Sequence, residues 1–338
     1  NAHEIKDDEG YDIQRWSGSG ILEHKVNNKF IDLVLSAETG LDLYAIKNRP
    51  STDANDNKYL ERFSLGLSIT SKKDYFYNFG QYNFLITPKM QISSMHSTDR
   101  KEDIPNRDSS DFKLDQANLF LINPYQGRDN IQTNQRFNYG IENSVSSDIG
   151  DFYFFFGQSH RIGGTNSNVL NSNLNRQSDF ISELKWEISE KYNISYNTFL
   201  NHHDLKENYS SFELGGRSSG INYNLIHRSI SKDIINDNND REELKFSIGK
   251  NIFDLNLSYS ATYDLKNNET DLIYEEISLY YDLEYMFDDC LSINFTYKNN
   301  DASTDRDILP ENSYFLTLKF KNLGEYGINS LVKRIAPF

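Results

Sequence analysis

One cysteine, six prolines, three methionines and two tryptophans are spread over 338 residues, and no apolar run exceeds Phe152-Tyr153-Phe154-Phe155-Phe156. Each scarcity removes a class. A membrane-crossing helix needs roughly 18 or more apolar residues in a row, so no helical span is expected. The lone cysteine, Cys290, cannot form an internal disulfide, which leaves a buried thiol, a free thiol or a bond to another segment or chain. Positive charge is also scarce: 35 Lys and Arg against 50 Asp and Glu give a net charge of −15. That balance argues against nucleic acid, whose phosphates call for basic patches. No charged-then-apolar segment opens the sequence, so no signal peptide is expected within it.

Aromatic residues are plentiful. With 22 Tyr and 22 Phe they make up 14% of a chain whose mean hydropathy is −0.69. A disordered acidic chain would be poor in aromatics, so this one has apolar surface to bury and distributes it thinly. It does so with a period of two. Leu255, Leu257, Tyr259, Ala261 and Tyr263 alternate with Asn256, Ser258, Ser260 and Thr262, and "CLSINFTYK" sets Leu291, Ile293, Phe295 and Tyr297 against Ser292, Asn294, Thr296 and Lys298. Such alternation marks half-buried strands.

The pattern predicts about 15 strands, at 12–26, 29–46, 62–71, 76–96, 134–147, 151–162, 179–189, 192–201, 208–217, 221–232, 241–250, 254–264, 271–285, 290–299 and 313–323. Their connections alternate short and long. Short ones fall at Asn27-Asn28, Ser71-Lys72-Lys73-Asp74, Asp148-Ile149-Gly150, Glu190-Lys191, Ser218-Ser219-Gly220, Asn251-Ile252-Phe253 and Met286-Phe287-Asp288-Asp289. Long ones fall at 47–61, 97–133, 163–178, 202–207, 233–240, 265–270 and 300–312.

A soluble sandwich gives no reason for one end to hold the short turns. An outer-membrane barrel does: periplasmic turns are short, external loops are long, the apolar face meets lipid and the polar face lines a wet lumen. Tyr75, Phe76, Tyr77, Phe79, Tyr82 and Phe84 crowd one boundary as an aromatic girdle would. The expected fold is therefore all-β, a large antiparallel transmembrane barrel. Counting strands back from a periplasmic C-terminus puts the start of the chain outside the cell, whereas bacterial single-chain barrels carry an even strand number. The whole chain, 1–338, is then expected to be the C-terminal part of a barrel, its first strands and an N-terminal domain lying upstream.

Enzyme signals are weak. Gly216-Arg217-Ser218-Ser219-Gly220 fits G-x-S-x-G, but a nucleophile elbow needs a helix after the turn. His202-His203-Asp204 lacks a third ligand at metal spacing, and Ser159-His160 fall on alternate faces of a strand. Asp305-Arg306-Asp307 suits a divalent cation in chemistry, though a solvated loop in which Arg306 pairs locally is the preferred reading. No catalytic, metal or cofactor site is expected.

The long loop is unusually dense in Asn, Asp and Arg, with apolar Leu119-Phe120-Leu121-Ile122 in its middle. Pro105, Asn106, Asp108, Ser109, Asp111, Phe112, Leu114, Asp115, Asn118, Leu119 and Phe120 match a stretch of the form P-N-x-D-S-x-D-F-x-L-D-x-x-N-L-F. Asn123, Gly127, Asp129, Arg136, Asn138, Tyr139 and Gly140 follow it. Then come Gly157-Gln158-Ser159, Thr304-Asp305-Arg306-Asp307 with Pro310, and Leu323-Gly324-Glu325. In order and spacing, over nearly the whole chain, this resembles the C-terminal barrel of the LptD lipopolysaccharide-assembly family, also called Imp or OstA. Pro124 and Asn130 depart from the pattern.

The resemblance implies a non-enzymatic translocon of the Gram-negative cell outer membrane. Lipopolysaccharide would pass through the lumen and leave by a lateral seam closed by Tyr314, Phe315, Leu316, Thr317, Leu318, Lys319 and Phe320. Its implied partners are an LptE-type lipoprotein plug and a periplasmic LptA-type bridge reached through the N-terminal domain. It also implies that Cys290 bonds to that missing domain; Asp289 stands where the family has a second cysteine. A passive porin or nutrient-uptake barrel, marked by a constricting loop and steady conductance, is the alternative, and a surface adhesin a third reading.

Overall fold

The computed structural model describes residues 2–5, 12–47, 58–98, 104, 114–125, 127–164, 176–189, 191–232, 240–252, 255–265, 271–282, 291–300, 312–320 and 324–329. Among them the named elements are all strands, eighteen in one sheet. Cys290, Asn106, Asp108, Asp111 and Asp305-Arg306-Asp307 lie outside the described residues. The chain divides into two compact units.

The first unit begins with β1 (Ala2–Ile5), paired antiparallel to β2 (Asp12–Asn27), which continues into β3 (Asp32–Lys47). The β2–β3 turn is locked by Asn28, whose Oδ1 accepts from the backbone N–H of Phe30 at 2.8 Å and of Ile31 at 2.9 Å, an Asx arrangement that favours Asn in turns. Next come β4 (Lys58–Lys72), β5 (Tyr75–Phe79) and β6 (Tyr82–Ser97), then the first part of β7 (Asn134–Ser147) and most of β8 (Gly150–Gly164).

The short turn expected at Ser71–Asp74 is not there. Lys72 opposes Lys89 and Tyr75 opposes Ile86 in unbroken register, so β4 and β5 run as one line along β6. The ladder is interrupted opposite Pro88, which has no N–H to donate, although Lys73 N still reaches Pro88 O at 3.4 Å. The reversal comes at Gly80-Gln81, where Gly80 has φ +59°. Glycine takes that conformation freely, and a type II′ hairpin turn needs it at the first central position.

The burial pattern of β4 is the one expected with lipid on the outside. Phe63, Leu65, Leu67 and Ile69 are 48, 38, 51 and 53% exposed, while the alternate residues Arg62, Ser64, Ser68 and Thr70 are 3, 5, 6 and 9% exposed. In water this is inside-out: polar groups are costly to bury without partners, and apolar surface left outside forgoes about 25 cal/mol per Å². With lipid outside, both rows are satisfied. Sixteen residues each, β2 and β3 exceed the roughly 9–11 residues that span a bilayer.

The second unit is a meander: β11 (Glu207–Ser218), β12 (Ile221–Ile230), β13 (Arg241–Ile252), β14 (Leu255–Asp264), β15 (Asp271–Asp282), β16 (Leu291–Asn300), β17 (Asn312–Phe320) and β18 (Gly324–Asn329), each antiparallel to the next. The strands β9 (Phe180–Ser189) and β10 (Tyr192–Leu200), which pair with each other, are divided between the units. In β16 Phe295 is exposed while Thr296 is buried. On the polar face Lys298 pairs with Glu276 at 3.5 Å, and Ser278 Oγ meets Asn294 and Thr296 at 3.2 Å. At Phe295 and Thr296 the alternation is the one read from the sequence.

The strand count and one strand boundary change here. The strand expected at 313–323 stops at Phe320, and Gly324-Glu325 open β18, which pairs back on β17. Tyr314–Phe320 therefore have β16 on one side and β18 on the other. Among the described residues the tally of about 15 strands becomes eighteen, because the expected strand 76–96 is broken at Gly80-Gln81 into β5 and β6, and β1 and β18 are added. The G-x-S-x-G match ends in a tight turn, Ser219 at φ +50° and Gly220 at +77°, that leads into β12 rather than a helix.

Candidate functional site

Residues of the long loop lie on the polar face of the first unit, held by two side-chain networks. The first centres on Arg62. Opposite it in register is Asp42, whose Oδ2 accepts from Arg62 Nη2 at 2.9 Å and Nε at 3.3 Å. Arg62 also donates to the Tyr44 hydroxyl at 2.9 Å, to the carbonyl of Asp129 at 2.7 Å and to the carbonyl of Arg128. Asp129 Oδ1 in turn accepts from Arg15 Nη1 at 2.7 Å and from the Tyr44 hydroxyl at 3.2 Å. Arg128 completes the ring, 3.5 Å from Asp42 Oδ1 and donating to Ser19 Oγ at 2.7 Å. Three guanidinium groups thus meet two carboxylates, and the surplus positive charge faces the two loop carbonyls. Charge-assisted bonds of this kind are the strong ones.

The second network crosses four strands. Gln91 Nε2 donates to Thr70 Oγ1 at 3.0 Å and to the carbonyl of Phe120 at 2.7 Å; Asn138 Nδ2 donates to Gln91 Oε1 at 2.9 Å; Ser159 Oγ donates to Asn138 Oδ1 at 2.6 Å. Beside it the buried Arg136 donates to the carbonyls of Leu121 at 2.7 Å and Ile122 at 3.1 Å. Backbone carbonyls that would be orphaned at burial are met by side chains of the sheet.

The loop also holds its own shape. Asp115 N donates to Asn118 Oδ1 at 2.8 Å while Asn118 N donates to Asp115 Oδ1 at 2.9 Å, a reciprocal cap on one turn of chain. Asn123 bridges to Asn130 and Gln132, and Gly127 sits at φ +88°. Its apolar residues Leu114, Leu119, Ile122, Pro124 and Tyr125 are buried with Met95 and Phe155. Glycines make room for them: a Cβ on Gly66 would lie 2.5 Å from Ile122 Cγ2 and 2.8 Å from Met95 Sδ, and one on Gly157 2.8 Å from Leu119 Cδ2. Gly66→Ala is therefore expected to cost about 1–3 kcal/mol through overpacking and to speed proteolysis between 114 and 133. Gly20→Ala, whose Cβ would meet Thr39 Oγ1 at an ordinary 3.6 Å, is expected to do neither.

Of the residues expected from sequence, Asp115, Asn118, Asn123, Gly127, Asp129, Arg136 and Asn138 all take part in this arrangement. Arg15, Asp42, Tyr44, Arg62 and Gln91 were not singled out. The available signal was a charged Arg62 on the polar row of an otherwise Leu- and Ile-rich strand. His202, His203 and Asp204 form a self-contained turn: Asn201 Oδ1 accepts from His203 N and Asp204 Oδ1 from Lys206 N. Burial and then the adjacent His203 hold the His202 imidazole below its usual range. No group of three or more potential metal ligands occurs among the described residues.

Two solved structures that match are a triple mutant of the Rh. blastica porin, at 9% identity and TM-score 0.36 with 86% of each chain covered, and Pseudomonas aeruginosa OccK7 (OpdD), at 12% and 0.41 with 93% of this chain and 90% of the other covered. No curated protein sequence matches. A family model described as LPS transport system D matches residues 1–265, a span that includes both networks and the loop they hold. The chain belongs to the LptD family of lipopolysaccharide transport proteins.

Proposed function

We propose that this chain is an outer-membrane translocon that places lipopolysaccharide in the outer leaflet. The sugar-bearing head travels along the polar face, and the acyl chains leave sideways into lipid through a seam. The observation that carries this reading is the inverted alternation, an apolar row outside and a bonded polar row inside, in a member of a lipopolysaccharide transport family. An amphiphile needs both surfaces, and a seam opens fewer backbone bonds in lipid than a whole strand edge does. The seam is proposed at Tyr314–Phe320 of β17, together with β18 that pairs on it. An LptE-type plug, an LptA-type bridge and a disulfide from Cys290 to a periplasmic domain belong to the same proposal.

The porin alternative draws on one observation: residues 114–125 and 127–133 lie on the polar face, as a constricting loop would. Photocrosslinking in the full-length protein in cells separates the two. Thr317 opposes Asn294 on the inner row, whereas Leu316 is exposed on the outer row. Lipopolysaccharide adducts at Thr317 that vanish when the supplying bridge is depleted are the expected result. Their absence, with steady ion conductance by the purified protein, would select the porin.

A further inference from the structure

The β5–β6 tip is unlike the rest of the first unit. All five residues of β5 are exposed, on both faces, and the described pairings of β5 are to β6 alone. Register carries the outer row of β4 straight into it, so Phe63, Leu65, Leu67 and Ile69 are followed by Tyr75, Tyr77 and Phe79, opposite Ile86, Phe84 and Tyr82. The row changes from mainly aliphatic to aromatic across Lys72-Lys73-Asp74. Counted from Phe63, the roughly 10 residues that cross the hydrocarbon end at that point.

A girdle accounts for the outer row. It does not account for Phe76, on the opposite row and 77% exposed, or for Phe30 in the neighbouring turn, 79% exposed. The turn and the hairpin are tied together, since Lys73 Nζ donates to the Asn28 carbonyl at 2.9 Å and lies 3.4 Å from Asp32 Oδ2. Charge is distributed to match. Residues 75–88 carry none, while Lys25, Lys29, Lys72 and Lys73 outnumber Asp32 and Asp74 on the flanks, a local positive excess in a chain of net charge −15. Lys29 and Lys72 are exposed.

We propose that this hairpin tip and the β2–β3 turn form an anchor for anionic phospholipid of the leaflet at the short-turn end of the sheet. Both faces of the tip lie in the headgroup region, and Lys29 and Lys72 meet lipid phosphates. Tyr and Phe rings suit that depth, one end apolar and the other wet, and each lysine near an anionic surface adds to the attraction. The anchor rests on the outer-membrane reading but not on lipopolysaccharide transport.

The test uses the full chain with Trp16→Phe and Trp186→Phe, and one new tryptophan at a time: Leu67→Trp, Phe76→Trp or Phe79→Trp. Each protein is placed in phosphatidylcholine vesicles, with or without phosphatidylglycerol, whose acyl chains carry bromine near the headgroup or near the terminal methyl. Leu67→Trp should lose most emission to deep bromines. Phe76→Trp and Phe79→Trp should lose most to shallow ones, and more when phosphatidylglycerol is present. Adding Lys29→Ala and Lys72→Ala should abolish that lipid preference. Quenching at 67 without quenching at 76 and 79 overturns the anchor: iodide access at the tip then shows bare surface, and protection from iodide shows a protein cover such as a second copy. Absence of quenching at 67 removes the membrane reading itself.

Discussion

Arg62→Met is expected to destabilise the protein by about 3–5 kcal/mol, the usual consequence of removing one partner from a buried ion pair. The side chain is 3% exposed, as is that of Asp42, so water does not replace what is lost. Asp42 would keep Arg128 at 3.5 Å and Asp129 would keep Arg15 and Tyr44, but the carbonyls of Arg128 and Asp129 would lose the donor they share. The measurement is equilibrium urea unfolding from vesicles. Lys73→Ala is the reference: Lys73 and Asp32 are 3.4 Å apart at 24 and 25% exposure and the Lys73 bond to the Asn28 carbonyl is exposed, and surface ion pairs contribute about 0–1 kcal/mol. The two substitutions should differ several-fold. Arg62→Met should also free the chain around Asp129 to proteolysis, which Lys73→Ala should not.

How legible this was in the sequence depended on distance along the chain. The outward rows are readable because a period of two needs only neighbours: Phe63, Leu65 and Leu67 announce their face wherever the strand is placed. The β4–β5 junction was misread because Lys72-Lys73-Asp74 looks like turn chemistry, while the true reversal, Gly80-Gln81, sits inside an aromatic run. The interruption at Lys73 is set by Pro88, fifteen positions away, and a local window cannot pair them. β1 and β18 are four and six residues long, too short to show a period. At the site the same limit applies more strongly. Asp115 and Asn118 bond each other across three positions, and the family-like motif marks them. Asp129 meets Arg15 across 114 positions and Arg62 meets the Asp129 carbonyl across 67. The loop motif could name one half of each contact. The other half lies on inner rows, where any polar residue is compatible with a wet lumen and so stands out from nothing.

Leu67→Arg is expected to cost about 2–4 kcal/mol, the penalty for a cation on the lipid face near the bilayer midplane. Leu67 lies in the middle of the run Phe63–Ser71, equally far from either end of it. Because that penalty falls to about 0–1 kcal/mol near the interface, Tyr75→Arg, beyond Lys72-Lys73-Asp74, should be almost neutral. The contrast is what makes the measurement decisive. Leu67 is 51% exposed and Tyr75 56%, so in a water-soluble sheet both changes would be surface substitutions worth within about 0.5 kcal/mol. A depth-dependent profile along one row, read by urea unfolding from vesicles, distinguishes lipid from water as the outer solvent without any transport assay. A flat profile would remove the outer-membrane reading, and with it the reason for an Arg62 network that faces inward.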